Sequence, residues 1–185
     1  MLRSKLFVPA SRPELFEKAA ASAADALSFD LEDAVVEAQK AQARQHLSQF
    51  SCTQKLVIVR INGLSTVHWQ ADLETCCPMA DWVNLPKVES LTDIEQVVAR
   101  APTVKLLLTI ETPKGMRLAA SLASHPNVVG IQAGLVDLFQ GLGIDRRLNT
   151  VREHILLQLR LAAGEAGVLC LDAAYADTKD PQGFD

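Results

Sequence analysis

The chain has 185 residues, of which 49% are apolar and 22% charged, enough to bury a sizeable core, so disordered and fibrous classes are excluded. Eighteen basic against 22 acidic residues give a formal net charge of -4 and a pI near 5.6, with no general attraction for phosphate backbones or anionic lipid, so neither nucleic acid nor membrane is expected as a partner. No apolar run approaches the roughly 18 residues that cross a bilayer, and the stretch before Pro9 is too short for a signal peptide, so a cytoplasmic location is expected.

In chain order, short apolar runs alternate with longer amphipathic segments. Leu6 to Val8 is the first buried strand. It is followed by a helix over Pro13 to Ala24, where Leu15, Phe16, Ala19, Ala20 and Ala23 recur at helical spacing behind Ser11, a cap with Glu14 three residues on. Strands at Ala26 to Leu31, Leu56 to Ile61, Trp82 to Leu85, Val104 to Ile110, Val128 to Gln132 and Val168 to Leu171 come next. Between them, helices are expected at Ala38 to Phe50, Asp72 to Met79, Leu91 to Ala101, Gly115 to Ser124 and Asn149 to Ala166.

Repeated βα units with short joins demand a parallel sheet, open or closed into a barrel. Gly141-Leu142-Gly143 lacks the third glycine of a dinucleotide turn, since Arg146 stands there. Polar residues collect instead where strands end: Asp30, Glu32 and Asp33 after the second, Arg60 and Asn62 at the third, Lys87 and Glu89 after the fourth, Glu111 after the fifth. Charges at several strand C-terminal ends suit the catalytic face of a (β/α)8 TIM barrel, which usually needs about 250 residues. A single α/β domain over residues 1–185 is therefore expected, truncated after its seventh strand, with exposed edges unless another segment or subunit covers them.

Cys52, Cys76, Cys77 and Cys170 show no C-x-x-C spacing and read as reduced structural thiols. The four histidines form no metal-binding spacing, and His125 and His154 are given no role. Any metal must then be held by oxygen.

LFVPASRPELFEKA at 6–19, LSFDLEDAV at 27–35, VRING at 59–63, LPKVES at 85–90, IETPKG at 110–115 and GLVDL at 134–138 form a recognisable series. Taken together, the chain resembles the citrate lyase beta-subunit-like proteins of the HpcH/HpaI aldolase superfamily. The resemblance implies a phosphoenolpyruvate/pyruvate-type barrel, usually a homotrimer, using magnesium and a thioester of coenzyme A or an acyl-carrier protein. It also implies a carbon–carbon lyase that releases a 2-oxo acid and a short acyl thioester. Malyl- or citramalyl-type thioesters are alternative substrates. A non-catalytic subunit or fragment is the remaining alternative.

From spacing alone Glu111 and Asp137 read as solvated loop carboxylates; the resemblance makes them the two magnesium ligands, with Glu111 also catalytic and substrate-binding. Hard magnesium takes carboxylate oxygens, waters and substrate. Arg60 ends an apolar run, where a permanent charge is expensive unless paired. The resemblance assigns it to catalysis and to gripping the oxo acid, while a salt bridge to Asp30, Glu32 or Asp33 is the structural alternative, and both can hold. Glu32 is expected at the substrate and Asp33 among the catalytic groups, orienting the arginine or metal-bound water. Phe7, Arg12 and Lys18 match positions that contact coenzyme A in relatives, the aromatic near adenine and the cations near phosphates. Lys87 is a further candidate on the same face. One departure stands out: Val136 replaces a carboxylate common beside the second ligand.

Overall fold

The alternating runs fold into one parallel sheet of seven strands in sequential order. The computed structural model describes residues 2–145 and 147–175. The strands are β1 (Lys5–Pro9), β2 (Ala26–Asp30), β3 (Leu56–Arg60), β4 (Trp82–Leu85), β5 (Leu106–Ile110), β6 (Val128–Ala133) and β7 (Leu169–Leu171). Parallel neighbours need a crossover between them. It is supplied by α1 (Phe16–Ala20), α2 (Lys40–Ser48), α3 (Trp69–Cys76), α4 (Leu91–Arg100) and α5 (Pro113–Ala123), then by α6 (Leu135–Leu142) with α7 (Asn149–Ala166).

The sheet curls. Lys5 Nζ on β1 donates to Gln132 Oε1 on β6, although four strands lie between them in the sheet. Strands spaced about 4.8 Å apart could not meet this way if the sheet were flat. Alternate residues therefore line an interior: Ser28 and Asp30, Ile58 and Arg60, Asn84, Leu107 and Thr109, Gln132. Near the strand starts this interior is apolar, with Ala26, Ile58 and Leu107 fully buried and Leu2, Leu56, Trp82 and Leu171 against them. Above that plug it turns polar, and Thr109 Oγ1 donates to Asn84 Oδ1 at 2.8 Å. Outward residues such as Leu27, Phe29, Val59, Leu85, Leu108 and Ile131 form the main core under the helices. Each large side chain buried there contributes roughly 1.5–3 kcal/mol.

β1 pairs only with β2 and β7 only with β6, so the described residues form a barrel open at one seam, without an eighth strand. This is the seven-stranded, incomplete (β/α) barrel that the sequence leads one to expect. No helix among the described residues is long and apolar enough to cross a membrane. Arg146 lies outside the described residues.

Local differences have identifiable causes. The helix expected over Pro13 to Ala24 is a 3-10 turn at Pro13–Leu15 followed by the five residues of α1, and no side chain caps it. Arg12 occupies the cap position, and Glu14 accepts from Arg12 Nε at 2.8 Å instead of completing a box with Ser11. Ser22 Oγ accepts from Ala24 N, a local turn that competes with helix continuation. What anchors α1 is aromatic packing: the Phe16, Phe29 and Phe50 rings meet edge to face at 4.8–5.3 Å. Elsewhere α3 starts earlier than expected, at Trp69, which is buried. Thr112 caps α5 by accepting from Gly115 N, and α6 is an additional helix.

Candidate functional site

Five strand ends deliver the site. β2 ends at Asp30 and continues into a loop with Glu32 and Asp33, β3 ends at Arg60, and Lys87 follows β4. Glu111 follows β5, and Asp137 lies in the first turn of α6, which follows β6. Asp137 is thus a helical residue rather than the loop residue that its sequence position suggests.

Arg60 organises the near side. Its Nε and one terminal nitrogen grip the two oxygens of Asp30 at 2.8 and 2.6 Å, a bidentate pair that is almost wholly buried. The other terminal nitrogen lies 3.1 Å from Glu32 Oε2 and 3.3 Å from Asp33 Oδ2. The fork expected to hold substrate is therefore taken by Asp30, and the outer nitrogen is the one that faces the carboxylate loop. These acids raise the arginine's pKa further, against the opposing effect of burial.

Lys87 joins the two sides. Its ammonium lies 2.9 Å from Glu32 Oε1 and 3.6 Å from Asp137 Oδ2, while its backbone N–H donates to Glu111 Oε1 at 2.9 Å. That N–H is aimed by a left-handed backbone, φ 54°, which no other non-glycine among the described residues adopts. Burial first, then the charges of Glu32 and Asp137, pushes the Glu111 carboxyl up to about 7. Burial also raises Glu32, whose Oε2 is buried without an aligned hydrogen-bond donor.

Gly134 makes the close approach possible. A Cβ there would sit inside contact distance of Glu111 Cβ, 2.7 Å from its Oε2 and 2.9 Å from Thr109 Cγ2. Glu111 and Asp137 border an open cleft of about 530 Å³ whose walls include Gly63, Lys87, Thr112 and Lys114. A cleft of about 430 Å³ beyond the strand starts, bordered by Cys77, Asp81 and Lys105, brings none of these groups together.

No group of three or more His, Cys, Asp or Glu side chains among the described residues is arranged to hold a metal. Glu111 and Asp137 offer two oxygen donors beside a carboxylate cluster with excess negative charge, which suits a hard cation completed by water and substrate. The donor chemistry therefore fits magnesium.

The loop carrying Glu32 and Asp33 is held from behind by groups that sequence reasoning did not single out for this role. Lys40 on α2, itself buried, donates to Leu31 O at 2.9 Å and Glu32 O at 3.0 Å. Asn62 donates to Leu31 O and, through backbone and side chain, to Asp72, which pairs with Arg44. Below Arg60, Lys5 is half-buried beside Gln132 with its ammonium 4.4 Å from the Phe7 ring, and desolvation first, then Arg60, lowers its pKa to about 7. Along β1, Lys5, Phe7 and Pro9 share one face, and Pro9 pairs in register with Asp30, which puts Lys5 inside the sheet's curl.

Of the three residues expected at coenzyme A, Phe7 lies in β1 on the same face as Lys5, Arg12 is exposed and paired with Glu14, and Lys18 is exposed on α1. With only five residues, α1 adds no strong N-terminal helix dipole to attract phosphates beside Arg12. Val136 is 44% exposed on α6, so its apolar side chain does not enter the buried part of the carboxylate cluster. All four cysteines are free, and His68 pairs with Glu37 at 2.7 Å, outside the site.

Comparison with known proteins gives a consistent result. The family model described as HpcH/HpaI aldolase/citrate lyase matches residues 3–185. A Cereibacter sphaeroides protein named (3S)-malyl-CoA thioesterase is 38% identical over 98% of this chain, which spans 66% of that protein. A Mycobacterium tuberculosis citrate lyase subunit beta-like protein is 40% identical over 97% of the chain, again with 66% of its own length spanned. Among solved structures, the CitE protein of M. tuberculosis in complex with magnesium, acetoacetate and coenzyme A superposes with a TM-score of 0.87 at 37% identity, covering 99% of this chain and 70% of that one.

Proposed function

The chain belongs to the HpcH/HpaI aldolase/citrate lyase family, and from that premise we propose that it forms the barrel of a magnesium-dependent carbon–carbon lyase. The substrate is an acyl thioester of coenzyme A or an acyl-carrier protein, and the products are a 2-oxo acid and a short acyl thioester. The observation that carries this reading is the gathering of Glu32, Glu111 and Asp137 around Lys87, with Arg60 alongside, at the strand C-terminal ends.

In such a cleavage the substrate hydroxyl loses its proton, the adjacent carbon–carbon bond breaks, and its electron pair passes into the thioester as an enolate that is then protonated. Glu111 and Asp137 would hold the metal, which when bound supplies Lewis-acid stabilisation at the oxo-acid oxygens. Arg60, locked by Asp30, keeps its outer nitrogen toward the reacting oxygens and adds fixed positive charge there. Glu32 is suited to receive the hydroxyl proton, because burial favours its neutral form. Asp33, 55% exposed and 3.3 Å from the arginine, serves to orient it. Coenzyme A or a carrier arm would enter across the strand C-terminal ends, with Arg12 and Lys18, exposed after β1, as cations for its phosphates. The neighbour crystallised with magnesium and coenzyme A supports both cofactor assignments. A homotrimer and a cytoplasmic location belong to the same proposal.

Thioester hydrolysis is a second reading, favoured by the name of the C. sphaeroides relative. Calorimetric titration with magnesium tests the shared site. Binding that Glu111→Ala and Asp137→Ala each abolish is the expected result, and a wild-type protein that binds no magnesium would return the chain to the non-catalytic alternative.

A further inference from the structure

Lys87 is the one cation that touches both Glu32 and Asp137, and its backbone is the only strained non-glycine position among the described residues. Asp137 meets no other cation or hydrogen-bond donor among those residues, so its charge is balanced by this ammonium alone. The contact to Asp137 is the looser one, 3.6 Å against 2.9 Å to Glu32, and the Lys87 side chain is 44% exposed over the cleft. Its backbone, by contrast, is tied to Glu111 through the N–H donated at 2.9 Å. A side chain at the rim of the site, with a loosely held charge against one expected ligand and its backbone N–H on the other, is placed to respond to a cation that arrives between them.

We propose that Lys87 is a tethered counter-cation that neutralises the Glu32–Asp137 side of the cluster in the metal-free protein, competes with the incoming divalent ion, and yields Asp137 to it while keeping Glu32. This rests on the reading of Glu111 and Asp137 as magnesium ligands. Two like charges cannot share Asp137 without strong repulsion in a partly desolvated site. Lys87 therefore weakens metal binding, the opposite of what a group that merely orders the ligands would do.

The test is magnesium titration of the intact protein by calorimetry, with thermal melting alongside. Lys87→Met removes the charge and should tighten magnesium binding roughly tenfold. It should also lower the melting temperature without metal, through unrelieved carboxylate repulsion, and enlarge the magnesium-induced rise. Lys87→Arg keeps the charge and should bind magnesium nearly as the wild type does. If Lys87→Met does not fold, Lys87→Gln replaces it with the same expectation. Unchanged or weaker binding in the charge-removed variant, with normal binding by the wild type, overturns the competition. Absence of binding in every form overturns the ligand assignment itself, and the proposal with it.

Discussion

Gly134→Ala probes the packing that lets Glu111 reach its position. Gly134 does not have the left-handed backbone that favours glycine, so the substitution introduces no φ strain and its effect is steric. The new methyl would overlap Glu111 Cβ, an atom fixed to the chain, and would stand 2.7 Å from Glu111 Oε2 and 2.9 Å from Thr109 Cγ2. Relief requires β5 and the start of α6 to separate, since Glu111 Cβ cannot rotate away. Overpacking of this kind destabilises by about 1–3 kcal/mol, and the overlap with Glu111 Cβ, which no rotamer change relieves, puts this case near the upper end. Gly141→Ala, seven residues on and inside α6, is the matched control: nothing lies within 4 Å of its added Cβ. There, helix propensity predicts a gain of about 0.5–1 kcal/mol. Urea unfolding followed by circular dichroism measures both, and magnesium titration reports whether Glu111 has been displaced. Equal stabilities for the two variants, or a Gly134→Ala protein that binds magnesium normally, would refute the argument that this glycine positions the carboxylate.

Arg60→Lys keeps the charge but loses the fork on Asp30, so oxo-acid affinity should fall by roughly 1.5–3 kcal/mol, with a parallel loss of stability; unchanged Michaelis constant and turnover would remove Arg60 from the site. Lys40→Met should destabilise by about 2–3 kcal/mol and raise proteolytic cleavage near Glu32, because two loop carbonyls lose a buried charged donor; limited proteolysis with intact-mass readout checks this, and unchanged cleavage counts against it. Lys5 supplies the pH dependence. Its folded pKa of about 7 lies below the ordinary 10.5, so the unfolded chain binds more protons between those values, and stability rises with pH across that window. Lys5→Met should therefore be more stable than wild type by on the order of 1 kcal/mol or more at and below neutral pH, with the advantage shrinking toward pH 10. Urea titrations at three pH values in that range decide, and a pH-independent difference would contradict it.

How much the sequence could convey differs between the sheet and the site. Strands such as WVNL and LLLTI are legible because strands buried on both faces read as near-continuous apolar runs, and α4 is legible as a helical run from Leu91, although the Ser90–Asp93 capping box that starts it is seen only in the structure. Helix α6 was not legible, because GLVDLFQGL is itself a short apolar run following β6, and only the left-handed Gly143 ends it. The residues of the cluster, Glu32, Arg60, Lys87, Glu111 and Asp137, each follow or end a strand, so periodicity could place them on one rim. Their partners could not be read the same way. Which of three acids takes the Arg60 fork, that Lys40 caps the loop from behind, and that Lys5 reaches β6 all depend on curvature and loop conformation. The short α1 misled for a similar reason, since helical spacing of alanines does not reveal that Arg12 and Glu14 pair with each other rather than cap a helix.

Carbon–carbon cleavage and thioester hydrolysis differ in which bond breaks, and their products tell them apart. The intact protein incubated with magnesium and a malyl- or citramalyl-type coenzyme A thioester should release a 2-oxo acid, trapped as its phenylhydrazone, in equal amount to a short acyl thioester. No free thiol should appear, and Glu111→Ala and Asp137→Ala should each abolish the release. Free coenzyme A thiol appearing with intact hydroxy acid and no oxo acid would identify hydrolysis instead, and would contradict carbon–carbon cleavage at this site.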